Sequence, residues 1–223
     1  MIEDKQIFYF NNEKSVITDP IMLEFGFLNN LIDWANENLY EWSNKTRKEK
    51  GISCAVIEIL QCKGEYLEQY FNNALVLSIY AILENGLKRL SEFYESKIET
   101  NIKIKHFRYC YDDETKRPAS SLEKHATYLE KIGICSARNN SYKILSKWTL
   151  VRNCIIHAGY EITNKEKVEI IKEVVKIDYL LEIVSSYSFT IDSYKLKEFV
   201  NTVEEYFISI FTYEIPNLKL KKN

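Results

Sequence analysis

The chain has 223 residues, 46% hydrophobic and 28% charged, with a formal net charge of −2 and a pI near 6.0. That balance suits a folded domain with a sizeable core and excludes the strongly basic surface of a protein that coats nucleic acid, so any nucleic-acid contact must come from local patches. Six Gly and three Pro leave few interruptions and favour long helices, while five Cys without a C-x-x-C pair or a His at ligand spacing predict buried or free thiols rather than structural zinc.

Residues 1–20 read as an irregular lead-in ending at Pro20. Their first five, Met1-Ile2-Glu3-Asp4-Lys5, lack the basic-then-apolar layout of a signal peptide, so a reducing cytoplasm is expected. From Ile21 to about Asn44, the apolar residues Met22, Phe25, Leu28, Leu31, Ile32, Trp34, Ala35, Leu39 and Trp42 recur at three- and four-residue steps, which predicts an amphipathic helix closed by the charged run Lys45–Lys50 and Gly51. Ile52–Cys62 reads as a short helix or turn, and a long helix is expected from about Glu65 to Tyr94. Its centre, Leu75–Leu83, is apolar nearly all round and should be buried on most sides, with Glu84 directly after it. The run Ala74–Leu83 is too short to span a bilayer.

Lys97–Arg117 is polar and reads as a loop, with Phe107, Tyr109 and Tyr111 spread along it. Ser120 and Glu123 stand at capping-box spacing and start a helix ending near Gly133. Another helix begins at Ser141, carries Ile144, Leu145, Trp148, Val151, Ile155 and Ile156 and stops at Gly159; a further one follows Thr163 or Asn164. Leu181–Asp192 alternates and is β-branched, predicting one or two short strands. Tyr194–Tyr213 forms a last amphipathic helix with Phe199, Val203, Tyr206, Phe207 and Ile210 in register, before a basic, disordered tail at Leu218–Lys222.

The chemistry concentrates in Arg152-Asn153-Cys154-Ile155-Ile156-His157. On an ideal helix Asn153 and His157 are one i,i+4 step and roughly 40° apart, whereas Arg152 lies about 140° from His157. A site shared by two subunits across a two-fold axis relaxes that constraint. The Arg-Asn pair followed by His at this spacing has a chance expectation of only about 0.02 in a chain of this composition.

These residues resemble the R-x(4–6)-H signature of HEPN domains, whose first spacer position is usually Asn, Asp or His. The buried helix Ile79-Tyr80-Ala81-Ile82-Leu83-Glu84 before the motif and the segment Leu122–Gly133 leading into it are similar too, so the resemblance covers roughly residues 65–175. It implies a helical bundle that dimerises and a metal-independent endoribonuclease of a toxin–antitoxin module or an anti-phage system, needing no cofactor. RNA and an antitoxin or regulatory protein are the partners it implies, with no membrane. Some such toxins carry Tyr two residues after the His, the residue that nucleotidylation regulates; here Gly159 holds that position and Tyr160 follows, a departure from that pattern.

RNA cleavage without metal needs a base for the ribose 2′-OH, an acid for the leaving 5′-oxygen and positive charge on the phosphorane-like oxygens. An imidazole can serve as base or acid, and His157 supplies one. Arg152 offers a bidentate fork for phosphate, and Asn153 orients the imidazole or binds phosphate. Glu84 is a candidate partner that positions Arg152. Lys103, Lys105, Phe107 and Arg108 form a candidate RNA track, cations beside a ring that stacks on unpaired bases.

Each residue also has a plainer reading. His157 suits a helix C-terminus as a cation on the dipole, Glu84 pairs with Lys88 at i+4, Cys154 is a small buried residue, and the basic stretches are solvated faces. His125 reads as lying on an exposed face of its helix and His106 in a loop. The fold expected is mainly α, a HEPN-like bundle over one domain, 1–223, with its core at about 65–175. An N-terminal helix (21–50) and a small C-terminal β element with a last helix (181–213) flank that core. The alternative function is a non-catalytic HEPN-like module that binds RNA, a nucleotide or a protein partner.

Overall fold

A computed structural model describes residues 2–48, 54–112, 115–157, 162, 165–181, 186–213, 215 and 219–221. It is mainly helical, with six α-helices and two small hairpins among the described residues. The expected terminators Gly51 and Gly159, and Tyr160, lie outside the described residues.

Helix α1 runs from Ile2 to Lys48 and encloses Pro20, so the expected irregular lead-in is instead helical. A proline within a helix costs about 3 kcal/mol through its missing N–H and its clash with the preceding turn. Tertiary burial offsets that cost: Phe10 packs 5.1 Å from Phe93 and 5.8 Å from Tyr94, Ile21 and Phe25 are buried, and Lys14 Nζ donates to the carbonyl of Phe211 at 2.6 Å. Helix α2, Cys54–Lys97, absorbs the expected short helix before it into one element. Leu75, Val76, Ile79, Tyr80 and Leu83 are buried as expected, but Ala74, Ser78 and Ala81 leave one line of the helix open to solvent.

The stretch read as a loop contains a 3-10 turn at Ile104–Phe107 and an antiparallel hairpin of β1 (Tyr109–Asp112) and β2 (Thr115–Pro118), Tyr109 facing Pro118. The alternation Tyr109-Cys110-Tyr111 is the strand signal that its polar setting obscured. Helix α3, Ser121–Lys131, carries the expected capping box: Glu123 N donates to Ser120 Oγ at 3.1 Å and Ser120 N to Glu123 Oε2 at 3.4 Å. A 3-10 turn, Cys135–Arg138, leads into α4, Asn140–His157, followed by α5, Lys165–Ile171. The strands β3 (Lys176–Leu181) and β4 (Ser186–Thr190) pair antiparallel, Ile177 opposite Phe189; the hairpin thus starts earlier than expected. Helix α6 is Ser193–Phe211, and all five of its expected core positions are buried.

The chain divides into two compact units. The first contains Met1–Phe25, Ala81–Ser146 and Thr202–Asn223; the second Gly26–Tyr80 and Lys147–Asn201. In the first, Phe207 lies 5.7 Å from Phe25, and Gly86 is needed because a Cβ there would stand 2.6 Å from Phe207 Cζ. Tyr206 donates to the carbonyl of Ala137 at 2.8 Å. Within the tail expected to be disordered, residues 219–221 are paired in this unit: Leu220 bridges Ile98, and Lys221 N donates to Lys97 O at 2.8 Å. Two backbone groups unsatisfied past the end of α2 thereby find partners. In the second unit, Trp148 stacks on Phe199 at 4.1 Å, and Asn72 Nδ2 donates to Ile191 O at 2.7 Å.

Candidate functional site

The motif occupies the last turn and a half of α4. Trp148, stacked on Phe199, and Val151 turn one side of the helix into the core of the second unit. By helical geometry Arg152 borders this side, one i,i+4 step from Trp148, whereas Asn153 and His157 lie on the far side. Thr149, Arg152 and Asn153 are half-buried, and Ile156 and His157, at the end of the helix, are exposed.

Tyr80 of α2 anchors the group. Its side chain is buried, and a buried hydroxyl needs a partner, here Thr149 Oγ1 at 2.6 Å. The Arg152 guanidinium carbon lies 5.8 Å from the Tyr80 ring centre, within cation–π range, and Arg152 Nη1 donates to Asn153 Oδ1 at 3.0 Å. Arg152 is therefore held between a ring and an amide, and Asn153 stands one i,i+4 step from His157. Among the described residues no hydrogen bond joins His157 to Arg152 or Asn153. Tyr80 and Thr149 were not singled out from the sequence; a lone phenol in the apolar run Leu75–Leu83 was the available signal.

Cys154 is half-buried within the motif. Burial pushes its thiol up and Lys167 pulls it down by less, so the neutral thiol is favoured and a nucleophilic role is not.

The remaining candidates belong to the first unit. Glu84 is half-buried on α2, and its support of Arg152 rests on the sequence reading alone. Lys103 is half-buried at the start of the 3-10 turn, and its backbone N–H donates to His106 Nδ1 at 3.2 Å. Lys105 and Arg108 are exposed. Phe107 is half-buried, edge-on to Tyr128 at 6.4 Å, so part of its ring serves local packing.

His125 corrects the sequence reading: it is buried, not exposed. It takes an apolar position on the face of α3 formed by Leu122, Ala126 and Leu129, and its Nδ1 has no hydrogen-bond partner among the described residues. Burial first, then the charges of Lys124 and Lys88, lower its pKa to about 4, so the imidazole is neutral at pH 7. Among the described residues no group of three or more His, Cys, Asp or Glu side chains is placed to hold a metal ion, and no helix is long and apolar enough to cross a membrane.

No family model, curated protein or solved structure gives a significant match to the chain.

Proposed function

We propose that this protein is a HEPN-type, metal-independent endoribonuclease that acts in the cytoplasm as a homodimer. Its proposed role is that of a toxin or anti-phage effector restrained by an antitoxin or regulatory protein. The observation that carries the reading is the placement of Arg152: half-buried, hydrogen-bonded to Asn153 and resting on the Tyr80 ring, with exposed His157 on the next turn. A guanidinium has five N–H donors, so engagement of Nη1 leaves others to reach a phosphate.

In this mechanism His157 takes the proton of a ribose 2′-OH as the 2′-oxygen attacks phosphorus. The P–O5′ bond breaks, and the leaving oxygen is protonated by the imidazolium of the second subunit. Arg152 stabilises the charge on the phosphorane-like oxygens, and Asn153 orients His157 or adds a phosphate contact. The products are a 2′,3′-cyclic phosphate and a 5′-hydroxyl. Lys103, Lys105, Phe107 and Arg108 serve as an RNA track, with exposed Lys105 and Arg108 meeting phosphates.

The test is incubation of single-stranded RNA and total tRNA with the protein in EDTA, alongside Arg152→Ala and His157→Ala. Cleavage by the wild type alone is the expected result. Specific RNA binding without cleavage would instead favour the binding-module reading.

A further inference from the structure

Within the second unit the motif helix has a neighbour on each flank. On one side Thr149 and Arg152 of α4 meet Tyr80 of α2. On the other side α4 meets α5. Only residues 158–164 stand between the two helices, and a connection that short favours antiparallel neighbours. The Lys147 ammonium is ion-paired with Glu173, just past the end of α5. Cys154 comes seven residues after Lys147 along α4, and Lys167 comes six residues before Glu173. At 1.5 Å per residue these steps are about 10 Å and 9 Å, so an antiparallel α5 brings Lys167 to the level of Cys154. The pull of the Lys167 charge on the Cys154 thiol agrees with that register.

Val168 and Ile171 are buried and turn one face of α5 inward, whereas Lys167 is exposed. Lys165 is exposed as well, but it lies about 160° around an ideal helix from Lys167 and so on the other flank of α5.

The place of Lys167 bears on the motif because Arg152 is the only Lys or Arg in the last two turns of α4, and it rests on the Tyr80 flank. On an ideal helix His157 is about 140° from Arg152 but only about 60° from Cys154. The side of α4 that carries the imidazole therefore opens toward Lys167 rather than toward Arg152. An ammonium on a flexible four-carbon stem is a point charge suited to a phosphate held on that side.

We infer that Lys167 is a phosphate-binding residue of the motif site, holding an RNA phosphate on the imidazole side of α4 while Arg152 serves the Tyr80 side. The assignment rests on the endoribonuclease reading for its ligand and adds to it a residue outside the motif, in the same unit as Arg152 and His157.

The experiment measures, in EDTA, binding of a fluorescein-labelled 2′-O-methyl single-stranded RNA, which cannot be cut by 2′-oxygen attack, and cleavage of the unmodified RNA. Wild type is compared with Lys167→Ala, Lys167→Arg and Lys165→Ala, each checked for its fold by circular dichroism. Lys167→Ala should lose at least about tenfold in RNA affinity and in kcat/KM. The charge-conserving Lys167→Arg and the other-flank Lys165→Ala should each stay within about threefold of wild type. In Lys167→Ala the slope of log affinity against log salt should become shallower by about 0.7, the share of one phosphate contact on a single strand. Unchanged affinity in Lys167→Ala, an equal loss in Lys165→Ala, or no binding by the wild type overturns the inference. Binding that depends on Lys167 in a wild type that leaves the unmodified RNA intact upholds the inference and overturns the endoribonuclease reading. Cleavage by the wild type that is indifferent to Lys167 does the reverse.

Discussion

The Arg152 guanidinium rests over the Tyr80 ring at 5.8 Å, and the Tyr80 hydroxyl is itself held by Thr149 at 2.6 Å. The ring thus faces the cation while its oxygen is fixed by the helix that carries the cation, so the two functions of Tyr80 are separable. Tyr80→Phe keeps the ring and removes one buried hydrogen bond; thermal unfolding should show a loss of about 1 kcal/mol, with RNA cleavage kept within a few-fold. Tyr80→Leu removes the ring, and cleavage should fall further than stability accounts for. Equal cleavage by the two variants would show that the ring does not position Arg152.

Two helical glycines differ in what surrounds them. At Gly86 a Cβ would sit 2.6 Å from Phe207 Cζ and 3.2 Å from Ile21 Cδ1, whereas at Gly26 it would meet nothing within 4 Å. Gly86→Ala should therefore destabilise the fold by about 1–3 kcal/mol through overpacking. Gly26→Ala should stabilise it by up to about 1 kcal/mol through helix propensity. Urea unfolding of the two variants checks both signs.

His125 makes stability depend on pH. Its folded pKa is lowered to about 4 from 6.5, so below pH 6.5 the unfolded chain binds the proton that the folded chain excludes. The stabilising contribution of the neutral buried imidazole is present above pH 6.5 and is lost as pH falls from there toward 4, at about 1.4 kcal/mol per pKa unit of separation. His125→Leu, similar in volume and without the orphaned Nδ1, should flatten this part of the profile in urea unfolding between pH 4 and 7. An unchanged slope would place the dependence elsewhere.

The same comparisons show what the sequence could and could not disclose. The register of α6 and the Ser120–Glu123 cap were readable because periodicity and capping are local and act alone. The first turns of α1 were not, because Pro20 is a strong local breaker whose cost is offset by distant rings, Phe93 and Tyr94. His125 was misread because its hydrophilic neighbours Glu123 and Lys124 suggested solvent, although Leu122, Ala126 and Leu129 define an apolar face that includes it. At the motif, spacing brought Arg152, Asn153 and His157 together, but the ring beneath Arg152 comes from a residue 72 positions earlier, and no local pattern announces that pairing.

The central claim is that Arg152 and His157 cleave RNA without metal. The most direct measurement is the chemistry of the product ends after incubation of single-stranded RNA in EDTA with wild type and with His157→Ala, both shown by circular dichroism to be folded. His157 is exposed, so its replacement leaves the core in place. The account predicts 2′,3′-cyclic phosphate and 5′-hydroxyl ends from the wild type and intact RNA from the variant. Cleavage retained by His157→Ala, or wild-type products with 3′-hydroxyl ends, would contradict it.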